Sequence, residues 1–178
     1  HNIEVEDEAT IYAEYENGAT GVFITSTGDC PGTNRLEITG TRGKMVLENG
    51  ILKLWKLKED ERDICKNSAE GFVIPEMEYS ELTSEKEEAH AGILKNFAGA
   101  ILHGEELISP GFDGINELMI SNAAYLSEWT GNKRIALPFN TAEYDRLLAE
   151  KQKHSKIKEN SVSRTNDKSC GGRWQVNW

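Results

Sequence analysis

The chain has 178 residues, 30 of them acidic and 20 basic, for a net charge of −10. That length suits one domain with a sizeable core and falls short of two ordinary ones. The acidic balance argues against a nucleic-acid groove or an anionic membrane surface, which need a basic field, and no apolar run approaches the roughly 20 residues that span a bilayer.

Ala9, Ile11, Ala13 and Tyr15 alternate with polar positions and predict a strand ending at Asn17-Gly18. Asn-Gly favours positive φ at both central positions of a tight primed turn, so a hairpin is expected. The return strand, 19–27, alternates Val22, Ile24 and Ser26 with Phe23, Thr25 and Thr27. Residues 28–32 read as a loop by composition. A third strand is expected over 33–39, turning at Gly40 to Gly43, and a second Asn-Gly hairpin joins 44–48 to 51–57 through Asn49-Gly50. The charged stretch 59–70 reads as a wide loop or fraying strand end. Residues 72–82 suggest one more strand, placed at an edge or bulge by Pro75.

The pattern then becomes helical. Ser84 and Glu87 have capping-box spacing, and Ile93, Leu94, Phe97, Ala100 and Ile101 recur on one face until Gly104. A second helix is predicted from about Asp113, as its cap, to Thr130, burying Ile115, Leu118, Met119, Leu126 and Trp129. Asn122 shares that face, and its amide calls for a backbone partner in a loop. A short strand is expected over 134–139, then a helix over 141–154 on Tyr144, Leu147 and Leu148. Residues 1–150 carry 13 basic and 28 acidic side chains, whereas 151–178 carry 7 and 2. The expected organisation is therefore a domain over 1–155 and a polar extension over 156–178. Strands followed by helices indicate α+β, a largely antiparallel open-faced sheet with helices on one face. Thr10, Tyr12, Thr25, Thr27, Arg35 and Glu37 are expected on its other face, open to solvent, a partner or a polar ligand. Cys30, Cys65 and Cys170 are widely spaced with no C-x-x-C pair, which fits a reducing cytoplasm better than a disulfide framework. The first residue is His1, and a strand pattern follows directly, as expected of a cut inside a longer protein.

Residues 3–8, 15–27 and 31–40, then His90 to Phe97, Ala100 to Gly104 and Ser121 to Gly131, taken in order, resemble the C-terminal domain of the Gfo/Idh/MocA oxidoreductases. These are the relatives of glucose–fructose oxidoreductase and inositol dehydrogenase. The resemblance covers about residues 3 to 150. It implies an NAD- or NADP-dependent sugar or polyol dehydrogenase acting on CH–OH groups, with the cofactor bound by an N-terminal Rossmann domain absent from this segment. It also implies a homo-oligomer built through the exposed sheet face. The segment departs from the whole-family pattern by lacking G-x-G-x-x-G, Glu-Lys-Pro and Asp-x-x-x-His; Gly40-x-x-Gly43 and Gly111-x-x-Gly114 lack the βαβ context. No catalytic, cofactor-binding or metal-binding residue is therefore expected within it.

The candidate substrate-binding residues are His90, Thr25, Thr27, Asn34 and Arg35. An imidazole donates and accepts, so His90 suits a substrate hydroxyl, or else a place at the core's edge bonded to a carbonyl. Thr25 and Thr27 offer neutral hydroxyls for a polyol, or serve as plain strand surface. Arg35 suits an anionic substrate group, or pairs with Glu37 or Glu14. Glu85, Glu87 and Glu88 read as a helix N-terminal cluster, and Trp55, Trp129 and Trp174 as packing residues. The alternative function, from a different class, is a non-catalytic binding or scaffold module sharing the fold. A self-contained hydrolase lacks any Ser-His-Asp or paired-carboxylate signal.

Overall fold

Asn49 and Gly50 both take positive φ, 54° and 73°, the backbone of a two-residue primed turn. The turn joins β-strands Gly43–Glu48 and Ile51–Leu57, within a computed structural model that describes residues 4–83 and 89–156. Numbered along the chain, the strands are β1 Glu8–Glu14, β2 Thr20–Ser26, β3 Arg35–Gly40, β4 Gly43–Glu48, β5 Ile51–Leu57 and β6 Met77–Thr83. The helices are α1 Glu61–Asn67, α2 Ala89–His103, α3 Gly114–Trp129 and α4 Thr141–His154. Every strand pairing is antiparallel, in a two-stranded sheet β1-β2 and a four-stranded sheet β3-β4-β5-β6. The α+β class holds. The described residues divide into two compact units, one holding residues 4–29 with 89–156 and the other 30–83.

In the four-stranded unit the register sorts side chains by chemistry. Leu36, Leu47, Leu52 and Leu82 lie in one row across all four strands, and Ile38, Met45 and Leu54 in the next. By the same register the opposite face carries Arg35, Glu37, Lys44, Glu48, Lys53, Trp55, Tyr79 and Glu81, with the apolar Val46, Ile51, Leu57 and Met77 among them. A period of two separates the sets, so a one-residue slip would exchange them. Gly43 has φ 147°, and a Cβ there would lie 2.1 Å from the Trp55 carbonyl oxygen; the close approach of β4 to β5 requires glycine.

Residues 61–67, expected as loop or strand end, form α1. The Asp60 carboxylate accepts from the Arg62 amide at 3.1 Å and from the Thr41 hydroxyl at 2.7 Å, and the Glu61 amide donates to the Thr41 carbonyl. The β3–β4 turn thus holds the cap that starts the helix. Apolar periodicity could not reveal it, because a helix this short has no stripe. β6 is an edge strand, as Pro75 implies, but it starts at Met77; Phe72, Val73 and Ile74 precede it as irregular chain, with Phe72 98 % exposed.

In the other unit the β1–β2 loop departs from expectation. The Tyr15 amide donates to the Ala19 carbonyl and the Gly18 amide to the Tyr15 carbonyl, both at 2.9 Å, and only Gly18 of the pair has positive φ. This is a three-residue loop, a common turn closed by a left-handed glycine. The Asn17 side chain accounts for the difference: its Oδ1 accepts from the Ala19 amide at 3.0 Å. α2 stops before Gly104 and α3 before Thr130-Gly131, close to the sequence reading. Asp113 stands before α3 in helical conformation without a side-chain cap bond, so the predicted cap is corrected; a 3-10 turn, Gly111–Asp113, leads in instead. Asn140 caps α4, accepting from the Ala142 amide at 3.0 Å. Residues 134–139, expected as a strand, are irregular. No neighbouring strand pairs with them among the described residues, and Pro138 lacks the N–H a ladder needs. The capping-box residues Ser84 and Glu87, Glu85 and Glu88, and the 157–178 part of the predicted extension lie outside the described residues.

The buried apolar residues among those described are Val46 in the four-stranded sheet and Ala123 and Leu126 on α3. Leu126, 2 % exposed, matches the predicted stripe, whereas Ile115 and Leu118 are exposed. The α2 stripe of Ile93, Leu94, Phe97 and Ile101 is likewise exposed.

Candidate functional site

The polar face of the four-stranded sheet is a linked set of charges around aromatic rings. The Arg35 guanidinium donates to Glu37, its neighbour two residues along β3, at 2.5 Å, and to Glu48, directly opposite on β4, at 3.4 Å. Lys44 pairs with the other oxygen of Glu37 at 2.5 Å. Hydrogen bonds from Arg35 and then Lys44 lower the Glu37 pKa, and the same Glu37 bond raises that of Arg35. On β5 and β6 the Trp55 and Tyr79 rings lie 5.1 Å apart at 44°, and the Tyr79 hydroxyl donates to Glu81, which raises the phenol pKa. Val46, on the same face between Glu37 and Lys53, is 4 % exposed. A cavity of about 440 Å³ opens on the same face, lined among others by Arg35, Lys44, Val46, Lys53, Trp55 and Met77. The face can offer charge-assisted hydrogen bonds and a ring surface.

The predicted site residues divide between the two units. Arg35 belongs to the four-stranded unit; Asn34, exposed, directly precedes it. Arg35 pairs with Glu37 as one reading expected; Glu14 pairs instead with Arg134 at 2.8 Å. Thr25, Thr27 and His90 belong to the other unit. Thr25 faces Ala9 across the β1–β2 pair. The Thr27 hydroxyl donates to the Asp7 carbonyl at 3.3 Å, and its amide donates to the same oxygen at 2.7 Å. By strand alternation Thr25 and Thr27 share the Ala9 and Ile11 face, and Thr10 and Tyr12 lie on the other, so these four do not form the single polar face expected. His90 is exposed in the first turn of α2, not packed at a core's edge.

Several organising residues escaped the sequence reading. Tyr125 on α3 donates its hydroxyl to Glu6, a hydrogen bond that with partial burial pushes the phenol pKa up to about 12. Its ring lies 5.5 Å from Trp129, Trp129 stacks on Tyr144 of α4 at 5.3 Å and 18°, and Lys151 sits 5.2 Å over the Trp129 ring. The expected packing role of Trp129 thus stands. Glu4 accepts from the Ser155 hydroxyl at 2.6 Å and the Lys156 amide at 2.7 Å. Asn96, not Asn122, bridges a loop, donating to the Glu106 carbonyl and accepting from the Ile108 amide, each at 2.9 Å.

The Cys65 thiol donates to the Glu61 carboxylate at 3.1 Å, four residues back on α1, and this raises its pKa. A raised pKa disfavours a nucleophilic thiolate. Among the described residues no group of three or more His, Cys, Asp or Glu stands ready to hold a metal ion. No helix among them is long and apolar enough to cross a membrane. The glycine spacings serve turns among the described residues: Gly40 and Gly43 flank an antiparallel hairpin turn, and Gly111 opens the 3-10 turn that Gly114 follows, an arrangement different from the strand, glycine loop and helix of a parallel βαβ unit.

Comparison with family models matches residues 1–137 to the oxidoreductase family C-terminal alpha/beta domain. No curated protein matches the chain. With the match running over most of its length, this chain belongs to the Gfo/Idh/MocA oxidoreductase family and carries that family's C-terminal domain.

Proposed function

We propose that the chain supplies the substrate-side and self-association surfaces of an NAD(P)-dependent dehydrogenase acting on a CH–OH group of a sugar or polyol, with the nucleotide held by a separate Rossmann domain. The observation that supports this reading is the two-faced antiparallel sheet in a domain of this family, with acids, bases and aromatic rings on one side. Hydride transfer requires a nicotinamide against the reacting carbon. The residues of this chain instead bind the substrate and orient it. Within one unit Thr25, Thr27 and His90 are proposed substrate contacts, and within the other Asn34 and Arg35 are, each unit taken by itself. Arg35, Lys44 and Lys53 beside Glu37, Glu48 and Glu81 make the polar face self-complementary, which a two-fold interface requires.

The test has two parts on the full chain. Sedimentation equilibrium is expected to show a dimer or larger species at high micromolar concentration, and Trp55→Ala to raise the monomer fraction. Nuclear magnetic resonance with millimolar inositol or glucose is expected to shift amides near Thr25, Asn34 and His90. A monomer with no shift at those positions defeats the proposal and favours a binding or scaffold module that shares the fold.

A further inference from the structure

We propose that Asn49 is a site of spontaneous covalent modification, losing its side-chain amide to give aspartate and isoaspartate, whereas Asn17, in the same Asn-Gly dipeptide, is protected by its turn. The nucleophile in this chemistry is the backbone nitrogen of the following residue, and glycine presents no Cβ to hinder its approach. The two sites differ in what already holds the reacting groups. At Asn17 the Gly18 amide donates to the Tyr15 carbonyl at 2.9 Å, and the Asn17 carboxamide oxygen accepts from the Ala19 amide at 3.0 Å. Attack there requires breaking both bonds. At Asn49 the hairpin is closed by its flanking pair, Glu48 and Ile51. Among the described residues neither the Gly50 amide nor the Asn49 carboxamide makes a hydrogen bond, and Asn49 is open to water.

The step balances without a redox partner. The Gly50 nitrogen bonds to the Asn49 Cγ, the Cγ–Nδ2 bond breaks, and ammonia leaves with the displaced amide proton. Water then opens the five-membered imide at either carbonyl, giving aspartate or isoaspartate. Either product puts a negative charge beside Glu48, the partner of Arg35. Isoaspartate also adds one backbone methylene to a turn whose two residues set the β4–β5 register.

The experiment incubates the full chain in mildly alkaline buffer, folded and in urea, and follows the Asn17 and Asn49 peptides by mass spectrometry with electron-transfer fragmentation. In the folded chain the amide-to-acid mass change is expected at Asn49 several-fold faster than at Asn17, with the two rates converging in urea. Asn49→Gln is expected to abolish the faster conversion, and Asn17→Gln to leave it unchanged. Conversion of Asn17 as fast as Asn49 in the folded chain overturns the proposal. So does a folded Asn49 that stays unconverted while the urea sample reacts.

Discussion

Tyr125 shows how one side chain joins distant sequence. Its hydroxyl reaches Glu6, 119 positions away, while its ring contacts Trp129. The folded pKa, about 12, lies above the ordinary 10.0, so the stabilisation is complete below pH 10 and is lost as pH rises through 12. Tyr125→Phe should lower stability by on the order of 1 kcal/mol at neutral pH. Thermal melts from pH 7 to above 12 should show that difference shrinking to nothing; a constant difference would contradict the assignment. Gly43 gives a second test. Gly43→Ala places a methyl against the Trp55 carbonyl at a φ of 147° and should cost about 1–3 kcal/mol in denaturant melts. Gly40→Ala, with nothing within 4 Å of the added carbon, should stay within about 0.5 kcal/mol of the parent.

At the scale of elements, helix α4 starts where Asn140 accepts from the Ala142 amide, whereas Asp113 makes no cap bond at α3. Asn140→Ala should therefore destabilise by about 1 kcal/mol, and Asp113→Ala by only a few tenths, by circular dichroism melts. Packing separates α3 in the same way: Leu126→Ala, at a site 2 % exposed, should cost about 2–5 kcal/mol, and exposed Leu118→Ala far less. Which elements were legible in the sequence follows from their physics. The Asn49-Gly50 hairpin and α4 are legible because local pattern, positive φ in one and the Tyr144, Leu147 and Leu148 stripe in the other, agrees with the final structure. α1 did not, since its start depends on Thr41, 19 positions before Asp60. The Asn17 turn was misread because its own side chain accepts a backbone amide, which dipeptide preference cannot register. For the candidate site, the sequence offers Glu37 or Glu14 as a cross-strand partner of Arg35; Glu37 does pair with it, but from two positions along the same strand. The bond to Glu48 required the β3–β4 register, and the links of Glu4 and Glu6 to α4 and α3 required tertiary structure.

For the molecule as a whole, the proposed function divides labour between this C-terminal domain, which binds and orients the substrate, and a separate domain that holds the nucleotide. Its strands are all antiparallel in the described residues, and its short glycine spacings serve turns. Those features differ from the parallel βαβ unit that cradles a dinucleotide. Calorimetric titration of the full chain with NAD, NADH, NADP and NADPH probes this division without an intermediary. Heats no greater than dilution are expected for all four; saturable micromolar binding of any one would refute it.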